Sequence, residues 1–359
     1  MLYMSCALAA LVPSLPALQT PAHAPVVTSK LSARMSLSGD GVDAAPMLRR
    51  ASAAPMLQPH MDRRSALAGA LCLAPTIMWP SSASAAMGAE LKYFPGSMTS
   101  ADLDQLIGDA LDERGYHKGN TLFAHSVCSD EVNFNRKEII DLQRRRWGES
   151  FTMGGLAGLP FAGKAGLGAF AHHVPDEGKL LIMFAPHVGL GFDGKVGALE
   201  RDGIADVSSA CGAAVGAFKT LSKPGATVPS GLNDLNDIEF DYIKMKLAPR
   251  LAGVSNSQNS LAYVTYQMYA MVKESILEQI AAVPGIWDDC AELAVIGGVQ
   301  INRYGQKDMF QPLMFQTITK AGKKVDLYPS TFGKMPALGS IIGSDEIASS
   351  IVSGGLTVA

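Results

Sequence analysis

The sequence predicts an α/β protein in which a mostly parallel sheet is flanked by helices within a single domain. Short, fully apolar runs such as LLIMFA (180–185) and LAVIGGV (293–299) stand between helical stretches. Runs of that length without polar alternation suit strands covered on both faces, as in parallel sheets. From about Ala86 polar helical stretches and apolar strands alternate, with no repeat of fixed period. Fold class follows from that alternation.

Taken in order, Ser100 to Arg114 reads as a helix with Ser100 at its N-cap, and Thr121 to Cys128 as a strand. A helix is expected over Arg136 to Arg146, then strands over Leu167 to His172 and Leu180 to Ala185. Ser209 to Lys219 reads as a helix that Ser208 or Ser209 can cap. The stretch Pro229 to Gly285, containing a long helix from Asn256 to Val283, reads as a helical insertion or subdomain with no linker to make it independent. Cys290, in IWDDCAEL, is placed on a helix as a structural residue. Strands over Leu293 to Asn302 and Pro312 to Thr319 complete the sheet.

Residues 1–60 read differently: they are rich in Ala, Pro, Ser and Leu and carry no charge before Lys30. Such composition marks a targeting segment, not a core, and with the export signal that follows, it resembles the plastid part of the bipartite address of algal thylakoid-lumen proteins. Residues 61–85 then present Arg63 and Arg64, an uncharged apolar run from Ala66 to Trp79, and Ala83-Ser84-Ala85. Twin arginine, apolar region and A-x-A site in that order predict a twin-arginine thylakoid-lumen signal. The apolar run is shorter than the roughly 20 residues a membrane span needs, so cleavage is expected, leaving 86–359 with no transmembrane segment. Chloroplast targeting to the thylakoid lumen is the expected address, with the plastid stroma as the alternative.

Charge and cysteine usage exclude other classes. The formal charge is −3, and the first 85 residues hold six Lys/Arg against three Asp/Glu, leaving −6 for the remainder. No basic footprint for nucleic acid is present. Of five cysteines, Cys6 and Cys72 fall in the targeting region and Cys128, Cys211 and Cys290 remain, an odd number that argues against a disulfide framework. The stretch GLPFAGKA (158–165) approaches a phosphate-binding loop, but Ala165 lacks the hydroxyl that holds magnesium, and Gly148 to Gly155 contain no apolar strand run. No nucleotide is expected.

Chemistry gathers instead where strands end, which is where sites form in open α/β sheets. Cys128 closes TLFAHSVC and His187 follows LLIMFAP; Cys211, beside Gly212, opens a helix. Along an extended chain Cys128 and Asp130 share a face while His125 points the other way. Two cysteines and one histidine from separate elements make a candidate tetrahedral zinc site with one open position. His172 and His173 stand as alternatives to His187 and as candidate proton shuttles. A redox pair of Cys128 and Cys211 without metal is a further reading, and it predicts a disulfide.

The stretches SVCSDEVN, GGLAGLPFAGKAGLGAFAHHVPDEGKLLIMFAPHVGL and ACGAAVGA resemble the limiting-carbon-dioxide-inducible protein B and C family, which includes theta-class carbonic anhydrases, over roughly residues 90 to 345. That resemblance implies a beta-carbonic-anhydrase-like fold with Zn2+ held by Cys128, His187 and Cys211. It implies a carbonate dehydratase, a lyase that reversibly hydrates carbon dioxide to bicarbonate via zinc-bound hydroxide, in an algal carbon-concentrating mechanism. It also implies a homodimer. The alternative is a non-catalytic, zinc-containing family member acting as a scaffold or bicarbonate-binding subunit. The beta-class pattern C-x-D-x-R and H-x-x-C-G maps onto Cys128, Asp130, His187 and Cys211-Gly212, with two departures. Val132 stands where the pattern has arginine, so Arg201, with Arg136 second, is expected to complete the pair with Asp130. Twenty-three residues separate His187 from Cys211 where the pattern has two. By the same resemblance, Gly154 to Gly168 line the active-site region.

Overall fold

The structure, a computed structural model, describes residue 88 and residues 91–251 and 260–355. The targeting segments expected at 1–60 and 61–85 lie outside the described residues. The described residues all belong to one compact unit. No helix among the described residues is long and apolar enough to cross a membrane.

Strand β1 (Met98–Thr99) leads into helix α1 (Ser100–Asp112). Thr99, not Ser100, caps that helix, its Oγ1 accepting the Asp102 N–H at 3.2 Å. The cap sits one residue earlier than expected because Thr99 keeps the extended backbone a cap requires. Strand β2 (Thr121–Val127), helix α2 (Ile139–Trp147) and the short strand β3 (Ser150–Thr152) follow. Next come helix α3 (Gly163–Ala171), strand β4 (Gly178–Ala185) and strand β5 (His187–Leu190). A two-stranded antiparallel ribbon, β6 (Ala198–Leu199) with β7 (Ser208–Ser209), precedes helices α4 (Gly212–Leu221), α5 (Ile238–Leu247) and α6 (Ser260–Ala282). The chain closes with strands β8 (Cys290–Arg303), β9 (Met309–Thr319) and β10 (Lys324–Asp326) and helices α7 (Tyr328–Phe332), α8 (Gly339–Ile342) and α9 (Asp345–Val352).

The main sheet runs β1-β9-β8-β4-β2-β3, with β10 on β9 and β5 on β8. Strands β3, β2, β4 and β8 are mutually parallel, and β9 returns antiparallel beside β8. The sheet is therefore mixed and mostly parallel, as predicted. One face is covered by α6 and its neighbours, where the Tyr269 ring stacks on Phe184 at 5.7 Å. Gly297 permits that contact, since a Cβ there would sit 2.1 Å from the Phe184 ring. The opposite face takes Leu103, Ile107 and Leu111 of α1, each fully buried. Burial of such side chains stabilises by about 1.5–3 kcal/mol apiece.

Three expected elements differ. Leu167 to His172 is not a strand: α3 covers it, because Leu167, Phe170 and Ala171 recur at helical spacing and are the residues of that helix that are buried. Cys290 begins β8 and pairs with Gly178; the helical turn before it, Pro284–Trp287, has ended. Ser208 and Ser209 form β7, and Cys211 itself occupies the N-cap position of α4 without a side-chain cap. The insertion expected over Pro229 to Gly285 contributes α5 and α6, and the first residues of its long helix, 256–259, lie outside the described residues.

Candidate metal centre

Because β2, β4 and β8 are parallel neighbours, their carboxyl ends lie side by side. Val127 pairs with Ala185 and Phe184 with Gly297, so Cys128, one residue past β2, and His187, two past β4, leave the sheet together. Pro186 interrupts the β4 ladder, and the chain resumes as β5, pairing His187 with Gln300 of β8. The 23-residue segment between His187 and Cys211 folds back on itself. Gly189 N–H donates to Ala210 O at 2.8 Å, and Gly197 N–H to Gly189 O at 2.8 Å. A Cβ on Gly189 would meet Ala198 O at 2.5 Å, so only glycine lets the returning strand approach this closely. Cys211 is thereby delivered beside His187 despite the long excursion.

Metal-ligating atoms of Cys128, His187 and Cys211 all lie within 4.8 Å of one another, and all three residues are buried. The two Sγ atoms are 3.8 Å apart and free; a disulfide bond would be about 2.05 Å long. His187 Nδ1 lies 2.8 Å from Asn302 Oδ1, while its Nε2 has no hydrogen-bond partner. A buried, unpartnered ring nitrogen beside two thiols is the donor set of a group that can bind a metal ion. Hydrogen bonding with Cys211 and burial push the Cys128 thiol up. Contact with Cys128 outweighs burial at Cys211 and, with backbone N–H groups of Ala213 and Ala214 at the start of α4, draws that thiol down. Burial alone would push His187 down; contacts with Cys128, Asn302 and Asp130 outweigh it.

The glycine-rich stretch serves this corner. A Cβ on Gly154 would meet Val127 O at 2.1 Å, and one on Gly158, at φ +81°, would meet Ala185 O at 2.7 Å. The loop therefore lies against the ends of β2 and β4, and Ala157 N–H reaches Cys128 Sγ at 3.2 Å. Lys164 is exposed on α3.

Asp130 stands at the rim, its Oδ2 3.7 Å from His187 Nε2. Arg201 Nη2 donates to both carboxylate oxygens at 3.0 Å, and its Nε donates to Glu131 Oε1 at 2.9 Å. The remaining Nη1 is taken by Ser208 Oγ and by Ser209 O at 3.3 Å. Burial would raise Asp130; its contacts with Glu131, His187 and the Arg201 guanidinium outweigh it and hold the carboxyl below its ordinary value. Arg136 is exposed ahead of α2, and His172 and His173 are exposed at the end of α3, outside the cluster.

Two residues escaped the sequence reading. Asn302, near the end of β8, accepts from or donates to His187, and its Nδ2 donates to Asp308 Oδ2 at 2.9 Å. Asp308 Oδ1 accepts the Arg303 N–H at 3.0 Å. Burial raises the Asp308 carboxyl to about 6. The rule that selected Cys128 and His187, polar residues at carboxyl ends of apolar strands, applies equally to INRYGQKD. A cleft of about 650 Å³ opens beside the cluster, lined in part by Glu131, Val132, Arg201, Asn302, Tyr304 and Asp308.

A mostly parallel sheet with soft donors converging at its strand ends places the protein among α/β proteins with a group that can bind a metal there. Residues 97–319 match the family described as limiting CO2-inducible proteins B/C, beta carbonic anhydrases, and the chain belongs to that family. The structure is similar to the crystal structure of PtLCIB4, a homolog of the limiting CO2-inducible protein LCIB, at 32% identity and TM-score 0.61, covering 67% of this chain and 98% of that one. It also resembles the crystal structure of limiting CO2-inducible protein LCIB at 23% identity and TM-score 0.53, over 66% of this chain and 97% of that one, a likeness of fold. No curated protein matches the chain.

Proposed function

We propose that the protein is a zinc carbonic anhydrase that interconverts carbon dioxide and bicarbonate. The observation that carries this reading is the convergence of Cys128, His187 and Cys211, with Asp130 held at their rim by Arg201. Two Zn–S bonds of about 2.3 Å at a tetrahedral angle span about 3.8 Å, and the two sulfurs stand 3.8 Å apart. His187 Nε2 supplies the third donor. A zinc ion bound there would supply the Lewis acidity that makes water nucleophilic near neutral pH.

The chain's own residues do the rest. Arg201 keeps Asp130 ionised, so its Oδ2 accepts a hydrogen bond and orients the attacking water toward carbon dioxide. Burial of the three ligands excludes bulk water from all but the rim. The neighbouring cleft, bordered by Glu131, Arg201 and Asn302, supports an approach to this rim.

By its resemblance to the beta class the protein works as a homodimer, which sedimentation of the purified protein tests. Arg63, Arg64 and Ala83-Ser84-Ala85 support delivery to the thylakoid lumen of a chloroplast, in a carbon-concentrating mechanism; N-terminal sequencing of the native protein is expected to start near Ala86. The activity itself is tested by oxygen-18 exchange between labelled carbon dioxide and water. Exchange by the zinc-loaded protein that vanishes in Cys128→Ser is the expected result. A folded, zinc-loaded protein without exchange would remove the enzymatic reading and leave a scaffold or bicarbonate-binding subunit.

A further inference from the structure

Every histidine ligand must present a lone pair to its metal, and which nitrogen does so is fixed by what the other nitrogen bonds. At His187 that partner is the Asn302 side chain, whose amide could face the ring with either end. The surroundings of Asn302 remove the choice. Its Nδ2 faces Asp308 Oδ2 at 2.9 Å and Val132 O at 3.5 Å, a carboxylate and a carbonyl, both acceptors. The amide nitrogen must therefore point to them and Oδ1 to His187. An acceptor at 2.8 Å requires the hydrogen to sit on Nδ1, which leaves the Nε2 lone pair aimed at the two thiols.

We infer that Asp308 is a positioning residue that, acting through Asn302, fixes the His187 tautomer and ring orientation for metal binding. The metal-binding part of this inference rests on the zinc reading above; the tautomer part does not. Asp308 suits the role because both of its oxygens are engaged, Oδ2 by the Asn302 amide at 2.9 Å and Oδ1 by the Arg303 backbone N–H at 3.0 Å, with the Gln300 side chain also near the carboxyl. The residue is 4% exposed and borders the cleft only at its edge. An asparagine in its place has one acceptor for two donors. Either the Arg303 N–H or the Asn302 amide then faces an NH2 group, and Asn302 loses its reason to keep one orientation. Outer-shell partners of this kind typically contribute 10–100-fold in metal affinity.

The test uses the full protein with Asp308→Asn, Asn302→Ala and the double variant, each confirmed folded by circular dichroism. Zinc affinity is measured by chelator competition, and the His187 tautomer by 15N NMR of metal-free protein at a pH where the ring is neutral. Wild type is expected to carry its proton on Nδ1 alone, and Asp308→Asn to show both tautomers and zinc binding weakened by about 10–100-fold. Because Asp308 acts through Asn302, the double variant is expected to bind zinc no more weakly than Asn302→Ala. A wild-type proton on Nε2, a folded Asp308→Asn with unchanged affinity and tautomer, or effects that add in the double variant would each overturn the inference. Should Asp308→Asn not fold, Asp308→Ser takes its place: both tautomers and weakened zinc binding are again expected, and an unchanged tautomer and affinity would overturn the inference. Should wild type take up no zinc, the carbonic anhydrase reading falls and the tautomer populations alone decide this one.

Discussion

Two histidines, His125 on β2 and His187 at the start of β5, are equally buried, each 2% exposed, yet their surroundings differ in kind. His125 lies between the rings of Phe123 and Phe134, at 6.0 and 5.8 Å; its Nδ1 has no partner and its Nε2 only Thr152 Oγ1 at 3.4 Å. Burial, and then the Arg144 charge, push it down to about 4. His187 is anchored on one nitrogen by Asn302 and faces two thiols and a carboxylate with the other. Burial alone thus makes a neutral packing residue. Burial with an anchor behind the ring and soft donors in front makes a donor that can bind a metal.

The largest effect should come from the side of the comparison proposed to hold metal. Cys128→Ser is expected to weaken zinc binding by more than the about 100-fold that outer-shell residues reach, while His125→Phe leaves it unchanged; chelator competition on both variants checks this. Equal losses would mean that the cluster is not distinct from any buried histidine site.

Next in size is the rim. Arg201→Ala frees the Asp130 carboxylate from its two 3.0 Å contacts without touching a sulfur or ring nitrogen. Carbon dioxide hydration should fall on the order of 100-fold, as misplaced groups cost, with zinc content retained. Loss of zinc in step with activity would place Arg201 in the architecture of the site and not in its chemistry.

The smallest effect sharpens the other side. His125 folds with its affinity for protons depressed from 6.5 to about 4. As pH falls through that interval the unfolded chain takes up a proton that the folded chain refuses, so stability present above 6.5 is lost, by up to about 3 kcal/mol near pH 4. Asp308, raised from 3.8 to about 6, acts with the opposite sign between those values, so the contrast must be read between variants. His125→Phe should lose less stability than wild type between pH 6.5 and 4 in urea unfolding. Parallel losses would show that His125 is protonated in the native state.

How much of this was legible in the sequence follows the same physics. The apolar runs of β2, β4 and β8 announce themselves because both faces of those strands are buried. Their carboxyl ends then point to Cys128 and His187. Strands β1 and β3, two or three residues each, depend on partners far away in sequence, and β10, three residues on the far arm of a hairpin with β9, is too short to leave a pattern. Helix α3 was hidden because Gly and Ala fill the gaps between Leu167 and Phe170, so an apolar run and an amphipathic turn look alike. Arg201 is legible by its tether between His187 and Cys211, and it pairs with Asp130. Asn302 and Asp308 were not, since only the register of β5 on β8 brings them behind His187.

The central claim is that Cys128, His187 and Cys211 hold one zinc ion together. X-ray absorption at the zinc edge of the loaded protein tests it most directly. The account predicts two sulfur ligands at about 2.3 Å, one imidazole nitrogen at about 2.0–2.1 Å and one further light atom. A shell of nitrogen and oxygen alone, or of four sulfurs, would contradict it.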